Sequence, residues 1–189
     1  MNIIRTKLKD CVIIEPKLFS DARGFFIETF QADRYANLAN ITLPFVQDNH
    51  SLSWEVGTLR GLHFQSPPSA QGKLVRCGRG AIFDVAVDIR KGSPTFGHWE
   101  GYELSAENGD QLYVPIGFAH GFVTLNPGSE LVYKCTDYYA PHAEGSIRWD
   151  DPTIGIEWPL AERLILNERD AIAPYFKDFE TPFTLGENS

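Results

Sequence analysis

Cysteine is scarce in this sequence, and its few copies form no pattern. The 189 residues contain three cysteines, Cys11, Cys77 and Cys135, and no C-x-x-C pair. An odd number of widely separated cysteines does not suit a disulfide framework. We therefore expect buried free thiols in a reducing compartment.

Long apolar segments are missing as well. No stretch approaches the length of about 20 apolar residues that crosses a bilayer. The N-terminus, MNIIRTKLKD, lacks the apolar core of a signal peptide. The sequence therefore predicts a cytoplasmic protein with no membrane partner.

Positive charge is in the minority. Lysine and arginine total 17 against 25 aspartates and glutamates, which gives a net charge of −8 and a pI of about 5.1. This balance argues against nucleic-acid binding. To bind an anionic ligand, the protein would need a local cluster of arginine and lysine that overcomes the negative field of the whole chain. The simpler interpretation of the acidity is that it keeps the protein soluble.

Aromatic residues are plentiful instead. They make up 13% of the chain, with Phe the commonest, and this suits the broad facing sheets of a sandwich or barrel. A chain of this length buries roughly 70% of its unfolded surface. We expect one domain over residues 1–182, followed by a flexible tail at 183–189.

Short strand patterns, separated by turn signals, recur about every eight to twelve residues. They predict an all-β, antiparallel sandwich or barrel. One strand is expected at 25–30, where it is poorly placed for a local hairpin. Two others, at 73–77 and 81–90, are predicted to be joined like a hairpin by Gly78-Arg79-Gly80.

Helices are expected to be few and short. Residues 31–40 are the best candidate in the first half of the chain, with Tyr35 and Leu38 as apolar anchors. A second helical turn is predicted after Asn167, whose side chain would cap it.

The segment that starts at Gly109 matches the second motif of the cupin superfamily. Gly109, Pro115, Gly117 and His120 stand at the spacing of that motif, whereas Thr124 replaces its usual final asparagine. The resemblance implies a double-stranded β-helix, or jelly roll, with a few short helices.

The first cupin motif is only partly present. His63 obeys it, but Gln65 stands where a second histidine belongs, and Ser69 and Ala70 occupy the glutamate positions. A divalent first-row metal needs three or four histidine or carboxylate ligands, and only His63 and His120 remain. The resemblance thus implies that no metal is bound.

His63 is the centre of the candidate site. Taken alone, it is as consistent with a core histidine as with a general base, since imidazole titrates near neutral pH. Arg60, Lys73 and His120 lie on strands expected to meet the same cavity, where packed cations cost desolvation unless an anion binds. The alternative interpretation of these three residues is that they are separate, solvated charges on the surface. Arg60 and His63 have opposite strand parity, so both face the cavity only if the chain bulges at Gly61.

Further motifs identify a family. The chain closely resembles the dTDP-4-dehydrorhamnose 3,5-epimerase family from about Val12 to Pro182. The motifs are D-A-R-G-F-F-I-E, Q-D-N-H-S, L-R-G-L-H-F-Q, Q-G-K-L-V-R, V-P-I-G-F-A-H-G-F and W-D-D-P-T-I-G-I-E-W-P. The resemblance implies a cofactor-free enzyme of dTDP-L-rhamnose biosynthesis. Its substrate would be dTDP-4-keto-6-deoxyglucose, whose C3 and C5 protons are acidified by the C4 ketone between them.

The resemblance also implies catalytic roles. His63 matches the base of the family, and Asp170 matches the carboxylate that orients this imidazole. Tyr133 matches the acid that reprotonates from the other face. Lys73 matches the cation that stabilises the developing charge on the C4 oxygen.

Binding residues follow from the same resemblance. Tyr139 matches the aromatic residue that stacks on thymine. The diphosphate would meet Arg23, Arg60 and Arg169, although the family often has lysine at the last of these positions. The residues expected around the sugar and the base are Glu28, Gln47, Asn49, His120 and Glu144.

Members of the family form homodimers in which an N-terminal strand crosses into the partner's sheet. Arg23, Phe26 and Glu28 would then serve the site of the neighbouring subunit. Such a dimer also covers a sheet edge that would otherwise be exposed.

Three alternatives stay open. A relative that epimerises only C3 or only C5, or acts on another ketosugar, would keep most of these residues. A metal-dependent cupin such as a dioxygenase would need the ligands that are missing. A sugar-nucleotide-binding jelly roll without chemistry would bind the ligand without exchanging its protons.

Overall fold

The computed structural model describes residues 1–186, and antiparallel strands dominate this part of the chain. The first seven strands are β1 (Asn2–Arg5), β2 (Val12–Glu15), β3 (Leu18–Asp21), β4 (Gly24–Ile27), β5 (Gln47–Ser53), β6 (Leu59–Gln65) and β7 (Lys73–Arg79). The next six are β8 (Ala81–Asp88), β9 (Trp99–Ser105), β10 (Gln111–Val114), β11 (Phe118–Thr124), β12 (Ser129–Cys135) and β13 (Glu144–Ser146). The α-helices are α1 (Ala32–Ala39) and α2 (Glu168–Ala171), and 3-10 turns lie at Pro141–Ala143, Ala161–Arg163 and Phe176–Asp178.

The strands form two larger sheets and one separate hairpin. The six-stranded sheet has the order β1-β2-β10-β7-β12-β5, and the five-stranded sheet has the order β13-β6-β11-β8-β9. Within residues 1–186, strands β3 and β4 pair with each other and with no other strand. All these pairings are antiparallel. Two facing antiparallel sheets with the chain crossing between them form a jelly roll, so the predicted all-β, double-stranded β-helix is confirmed.

Apolar side chains from both sheets fill the space between them. Val75 and Leu112 of the six-stranded sheet pack with Ala86 and Phe122 of the five-stranded sheet. A second apolar layer, which includes Trp158, joins the C-terminal segment to the five-stranded sheet. Packed sheets lie about 10 Å apart, so this core holds two walls of the molecule at a fixed separation.

Both predicted helices form where their capping residues allow. The side chain of Gln31 accepts an N–H of the first turn of α1, and Asn40 ends this helix in the left-handed conformation. The side chain of Asn167 accepts the N–H of Asp170 at the start of α2, at 2.7 Å. The predictions of a helix at 31–40 and of a capped turn after Asn167 are therefore confirmed.

Only one of the two predicted anchors of α1 is correct. Tyr35 is fully buried, and its hydroxyl donates to the side-chain oxygen of Gln111 at 2.9 Å. Leu38 is 52% exposed, whereas the neighbouring Ala39 is buried. Residue 39 lies four positions after Tyr35 and therefore shares its face of the helix, so it takes the inward place that we predicted for Leu38.

The predicted strand at 25–30 was wrong in its bounds and its pairing. It ends at Ile27 and forms a local hairpin with β3, in which Phe26 lies opposite Phe19. The carboxylate of Asp21 accepts the backbone N–H of Arg23 at 2.8 Å, which is a side-chain mimic of a backbone turn. This contact lets the chain reverse within two residues.

The predicted hairpin at 78–80 was wrong too. Strand β7 pairs with β10 and β12 of the six-stranded sheet, whereas β8 pairs with β11 and β9 of the other sheet. The Gly-Arg-Gly segment is therefore a corner at which the chain leaves one sheet for the other. A local glycine signal predicts that the chain turns, but it does not specify which strands become partners.

The segment predicted to be a flexible tail, 183–189, begins with residues that contact the domain. Phe183 is buried, Thr184 forms a bridge with Lys91, and the N–H of Leu185 donates to the oxygen of Lys91 at 2.9 Å. These contacts attach the segment to the domain because Phe183 fills part of the second apolar layer. Residues 187–189 of the predicted tail lie outside the described part of the chain. The division into a single domain at 1–182 stays a prediction.

The three cysteines are buried free thiols, as predicted. In residues 1–186, no helix has the length and apolar character needed to cross a membrane.

Candidate active site

A bulge in β6 brings two predicted site residues onto one face. His63 lies opposite His120 on β11, and Arg60 lies opposite Phe122. The two pairs are three residues apart on β6 but only two apart on β11, so β6 contains one extra residue. Gly61 sits in the bulge with φ of +131°, and a Cβ there would lie 2.6 Å from a Cα of β11. The predicted bulge is confirmed, and it turns Arg60 to the same side as His63.

His63 is held by a fully buried carboxylate. Its Nε2 lies 2.6 Å from Oδ1 of Asp170, whose other oxygen accepts the N–H of Gly61 at 3.2 Å. Burial alone would raise the pKa of Asp170, but the hydrogen bonds from His63 and from the N–H of Gly61 outweigh it and hold that pKa below its usual value. An ionised carboxylate only accepts, so the imidazole proton lies on Nε2. The free Nδ1 is then available as a base.

Nothing in residues 1–186 bonds the Nδ1 atom of His63 or closes it off from solvent. The side chain of His63 is 28% exposed. The sequence motif could not show that Asp170 reaches His63, because 107 positions separate the two residues. Folding brings them together through the first turn of α2.

A second histidine–carboxylate pair lies beside the first. Nε2 of His120 is 2.9 Å from Oδ1 of Asp84, which is fully buried, and Oδ2 of Asp84 has no partner in the described chain. Directly opposed strand residues have Cβ atoms about 4.5–5.5 Å apart, so His63 and His120 are close neighbours. We did not predict Asp84. The available signal was one carboxylate in the otherwise apolar run A-I-F-D-V-A-V of β8.

The facing sheet supplies the opposite wall of the site. Tyr133 lies opposite Val75, a core residue, so the inward face of β12 carries Tyr133 and Cys135. Lys73 lies opposite Cys135 on the same face. Burial raises the pKa of the Tyr133 phenol and lowers that of the Lys73 ammonium. Tyr133 therefore keeps its proton at neutral pH, and the base and the predicted acid stand on different walls.

Strand β5 continues this second wall. Asn49 lies opposite Tyr133, and Gln47 lies opposite Cys135. The amide of Asn49 contacts the sulfur of Cys135 at 3.4 Å. The structure thus brings the predicted ligands Gln47 and Asn49 to the site, next to a thiol that we did not predict there.

A third group of predicted ligands meets at the rim. The hydroxyl of Tyr139 donates to Glu144 at 3.1 Å, and Arg169 donates to the same carboxylate oxygen at 2.7 Å. Burial acts to raise the pKa of Glu144, but these two donors hold it below its usual value. Strand β13, which carries Glu144, pairs with β6 beside His63.

Three predicted ligands stay away from this site. Arg23, Phe26 and Glu28 lie on or just after the separate hairpin. Arg23 is paired with Asp21 at 2.5 Å, and Glu28 with Arg34 at 2.6 Å. Within the described residues, none of the three hydrogen-bonds to the site.

The cupin ligand positions are engaged otherwise. The Nε2 atoms of His63 and His120 are each hydrogen-bonded to an aspartate, and the side-chain amide of Gln65 donates to a backbone oxygen. In the described chain, no three histidine, cysteine or acidic side chains are grouped in a way that could hold a metal ion. A metal-free reaction stays a prediction.

Comparison with known proteins places this arrangement among sugar-nucleotide enzymes. The family model described as dTDP-4-dehydrorhamnose 3,5-epimerase matches residues 5–178. The dTDP-4-dehydrorhamnose 3,5-epimerase of Salmonella typhimurium is 56% identical over 174 residues, which cover 92% of this chain and 94% of that protein.

Two solved structures extend the comparison. The dTDP-6-deoxy-D-glucose-3,5-epimerase of Legionella pneumophila, in complex with dTDP-4-keto-L-rhamnose, has a TM-score of 0.92 and 52% identity, with 97% of each chain covered. A 3′-monoepimerase of Streptomyces bikiniensis, in complex with dTDP-quinovose, has a TM-score of 0.84 and 37% identity. The alignment covers 90% of this chain and 85% of the monoepimerase.

Proposed function

Because the chain belongs to the dTDP-4-dehydrorhamnose 3,5-epimerase family, we propose that it inverts C3 and C5 of dTDP-4-dehydro-6-deoxy-D-glucose. The product is dTDP-4-dehydro-L-rhamnose, an intermediate of dTDP-L-rhamnose biosynthesis. One observation carries the proposal: the imidazole of His63, backed by buried Asp170, faces a wall that presents Tyr133 and Lys73.

The first step is removal of a proton beside the C4 ketone. The free Nδ1 of His63 takes the proton, and the C–H electron pair becomes the double bond of an enolate. The imidazolium that forms is stabilised by the Asp170 carboxylate, which also fixes the ring. A positioned base of this kind contributes roughly 10²–10⁴-fold to the rate.

The electrons of the C4 carbonyl move to its oxygen in the same step. Lys73 stabilises this developing oxyanion with a charge that is already in place. The burial that lowers the pKa of Lys73 is partly offset by the carboxylates of Asp84 and Glu144. Lys73 lies opposite Cys135 on the inward face of the second wall, and in this proposal it is the cation at the C4 oxygen.

Reprotonation from the other face completes the inversion. Tyr133 gives its phenolic proton to the carbon, and the enolate returns to the ketone. The phenolate then regains a proton from solvent, and the imidazolium of His63 releases its proton to solvent, which restores both groups. Burial raises the pKa of Tyr133, so the proton stays on the oxygen until a carbanion is present. The same sequence at the second carbon gives the double epimer.

The rim residues bind the nucleotide in this proposal. Arg60 and Arg169 contact the diphosphate, where a planar guanidinium can engage two oxygens. Tyr139 stacks on thymine. The residues around the sugar and the base are Gln47, Asn49, His120 and Glu144.

The hairpin completes the site of a second subunit. Phe19, Phe25 and Phe26 are each more than half exposed on it, and an isolated two-stranded hairpin is only marginally stable in water. Both features support a homodimer in which the hairpin packs on the partner. Arg23, Phe26 and Glu28 then act in the neighbouring site.

Isotope exchange tests the reaction. The substrate is incubated in heavy water with the protein, and NMR follows C3 and C5. We expect deuterium at both carbons, and His63→Asn should abolish both exchanges. Label at one carbon alone would refute the double reaction, an outcome made relevant by the similarity to a 3′-monoepimerase. Tight binding without any exchange would indicate a receptor instead.

Subunit mixing tests the exchanged hairpin. His63→Asn and Arg23→Ala chains are co-refolded and assayed at low substrate concentration. If Arg23 acts across the dimer, the mixed dimer holds one complete site and regains activity relative to either parent. If Arg23 acts within its own chain, every site in the mixture lacks one residue and no activity returns. Light scattering checks that both parents are dimers.

A further inference from the structure

Gln65 occupies a metal-ligand position of the cupin motif but makes backbone contacts instead. It follows His63 by two residues on β6, so the two side chains lie on the same face of the strand. Gln65 is almost fully buried, at 5% exposure. A buried amide is costly unless its donors and acceptor are used, and here they are.

The amide of Gln65 makes three hydrogen bonds. Its Nε2 donates to the backbone oxygen of Ser69 at 2.7 Å and to that of Tyr138 at 3.1 Å. Its Oε1 accepts the backbone N–H of Ala140 at 2.9 Å. Two of the three bonds therefore fall on the residues immediately before and after Tyr139.

Tyr139 itself is fixed by a second glutamine. Its backbone N–H donates to Oε1 of Gln47 at 2.8 Å. Three successive residues of this loop are thus bound through their main chain by inward-facing side chains of two different sheets. Tyr139 is 54% exposed, so core packing does not hold its ring. The orientation of the ring depends on this backbone support and on the bond to Glu144.

We propose that Gln65 is a positioning residue for nucleotide recognition, which holds the Tyr138–Ala140 backbone so that the ring of Tyr139 is ready to stack on the base of a nucleoside diphosphate. The inference rests on the proposed function for the identity of the ligand. A loop that is ordered before binding does not have to be ordered by the ligand, and this raises affinity. Gln65 belongs to the binding of the nucleotide and not to proton transfer.

The variant Gln65→Leu removes all three bonds at nearly constant volume. We expect the Kd of dTDP, measured by calorimetry, to rise about tenfold, within the range that base–aromatic stacking contributes. The KM of the sugar nucleotide should rise in parallel, whereas kcat should stay within about twofold of wild type because the proton-transfer groups are untouched. An unchanged Kd would overturn the proposal, as would a fall confined to kcat.

Gln71→Leu is the matched control. Gln71 also supports this loop, but through one bond, from its amide to the backbone oxygen of Asp137 at 2.7 Å, two residues before Tyr139. We expect a change in Kd of less than about twofold. If Gln65→Leu fails to fold, Gln65→Asn retains the amide on a shorter side chain and should weaken dTDP binding to an intermediate extent; unchanged binding there would count against the proposal.

A double-mutant cycle with Tyr139→Ala separates positioning from general damage. If Gln65 acts through Tyr139, Gln65→Leu should change Kd by less than about twofold once the ring is absent. If Gln65→Leu raised the Kd of dTDP tenfold both in wild type and in Tyr139→Ala, the proposal would be overturned. Deuterium exchange at C3 and C5 of the substrate, measured with the same wild-type protein, tests the reaction independently. If wild type binds dTDP but catalyses no exchange, the proposed function is wrong and the proposal for Gln65 still stands. Failure of wild type to bind dTDP would defeat both.

Discussion

The two histidine–aspartate pairs have their imidazoles on neighbouring strands of one sheet, β6 and β11, but differ in their surroundings. The side chain of His63 is 28% exposed and that of His120 is 7% exposed, while both carboxylates are fully buried. Asp170 uses both oxygens, on His63 and on the N–H of Gly61, whereas Asp84 leaves Oδ2 without a partner in the described chain.

This difference assigns different tasks to two chemically similar pairs. A base has to reach its substrate and has to be held in one tautomer, and His63 meets both conditions. His120 is more enclosed, and the carboxylate behind it is less completely bonded. We therefore propose that His63 removes the proton and that His120 positions the substrate. The predictions below test this division of roles.

The largest effect is expected from removing the base. His63→Asn should lower kcat by about 10³–10⁴-fold, near the upper range for a general base. His120→Asn should mainly raise KM and lower kcat by less than about tenfold. Steady-state kinetics of both variants measures the contrast, and equal losses in kcat would contradict the division of roles.

The next effect concerns the carboxylate behind the base. Asp170→Asn should lower kcat by about 10²–10³-fold, because an amide can present its NH₂ to the ring and favour the wrong tautomer. Nitrogen NMR of the His63 ring would detect the altered tautomer directly. A full-rate variant with an unchanged spectrum would show that the carboxylate is only structural.

Asp84→Asn should reduce activity less than Asp170→Asn does. We expect kcat/KM to fall about tenfold, because a charged hydrogen bond to His120 becomes a neutral one. Asp88→Asn is the matched control: Asp88 is on the same strand and fully buried, but it bonds to Arg90. The control should lose stability with kcat/KM within about twofold of wild type. If both variants lose activity equally, the effect of Asp84 comes from the strand and not from His120.

The smallest effect is a difference in acid stability. Asp170 has a folded pKa below its unfolded value of about 3.9, so its carboxylate contributes stability that is complete above that value. The contribution is lost as the pH falls through the folded pKa. The free energy of unfolding of wild type should therefore fall towards that of Asp170→Asn below about pH 4. Denaturant titrations across pH measure it, and parallel curves would argue against the depressed pKa.

The fold could be predicted from the sequence largely because local signals agree with the final structure. The short strands, the glycine at position 61 and the capping side chain of Asn167 each favour one local geometry. Pairing was harder, since the same turn chemistry at Gly78–Gly80 suits a hairpin or a corner between sheets. Leu38 and Phe183 show the same limit: apolar character does not reveal whether a neighbouring surface exists to cover it.

The sequence by itself determined the residue types for the chemistry, namely an imidazole, a phenol and an ammonium on strands, and the glycine that lets Arg60 and His63 share a face. The family resemblance predicted Asp170 behind His63, but only the tertiary structure showed that the two side chains meet and that Asp84 supports His120. Asp170 and Asp84 reach their imidazoles from 107 and 36 positions away, and no local pattern encodes such contacts. The physical reason is that a buried carboxylate requires a partner, and which partner is near depends on how the two sheets and α2 pack.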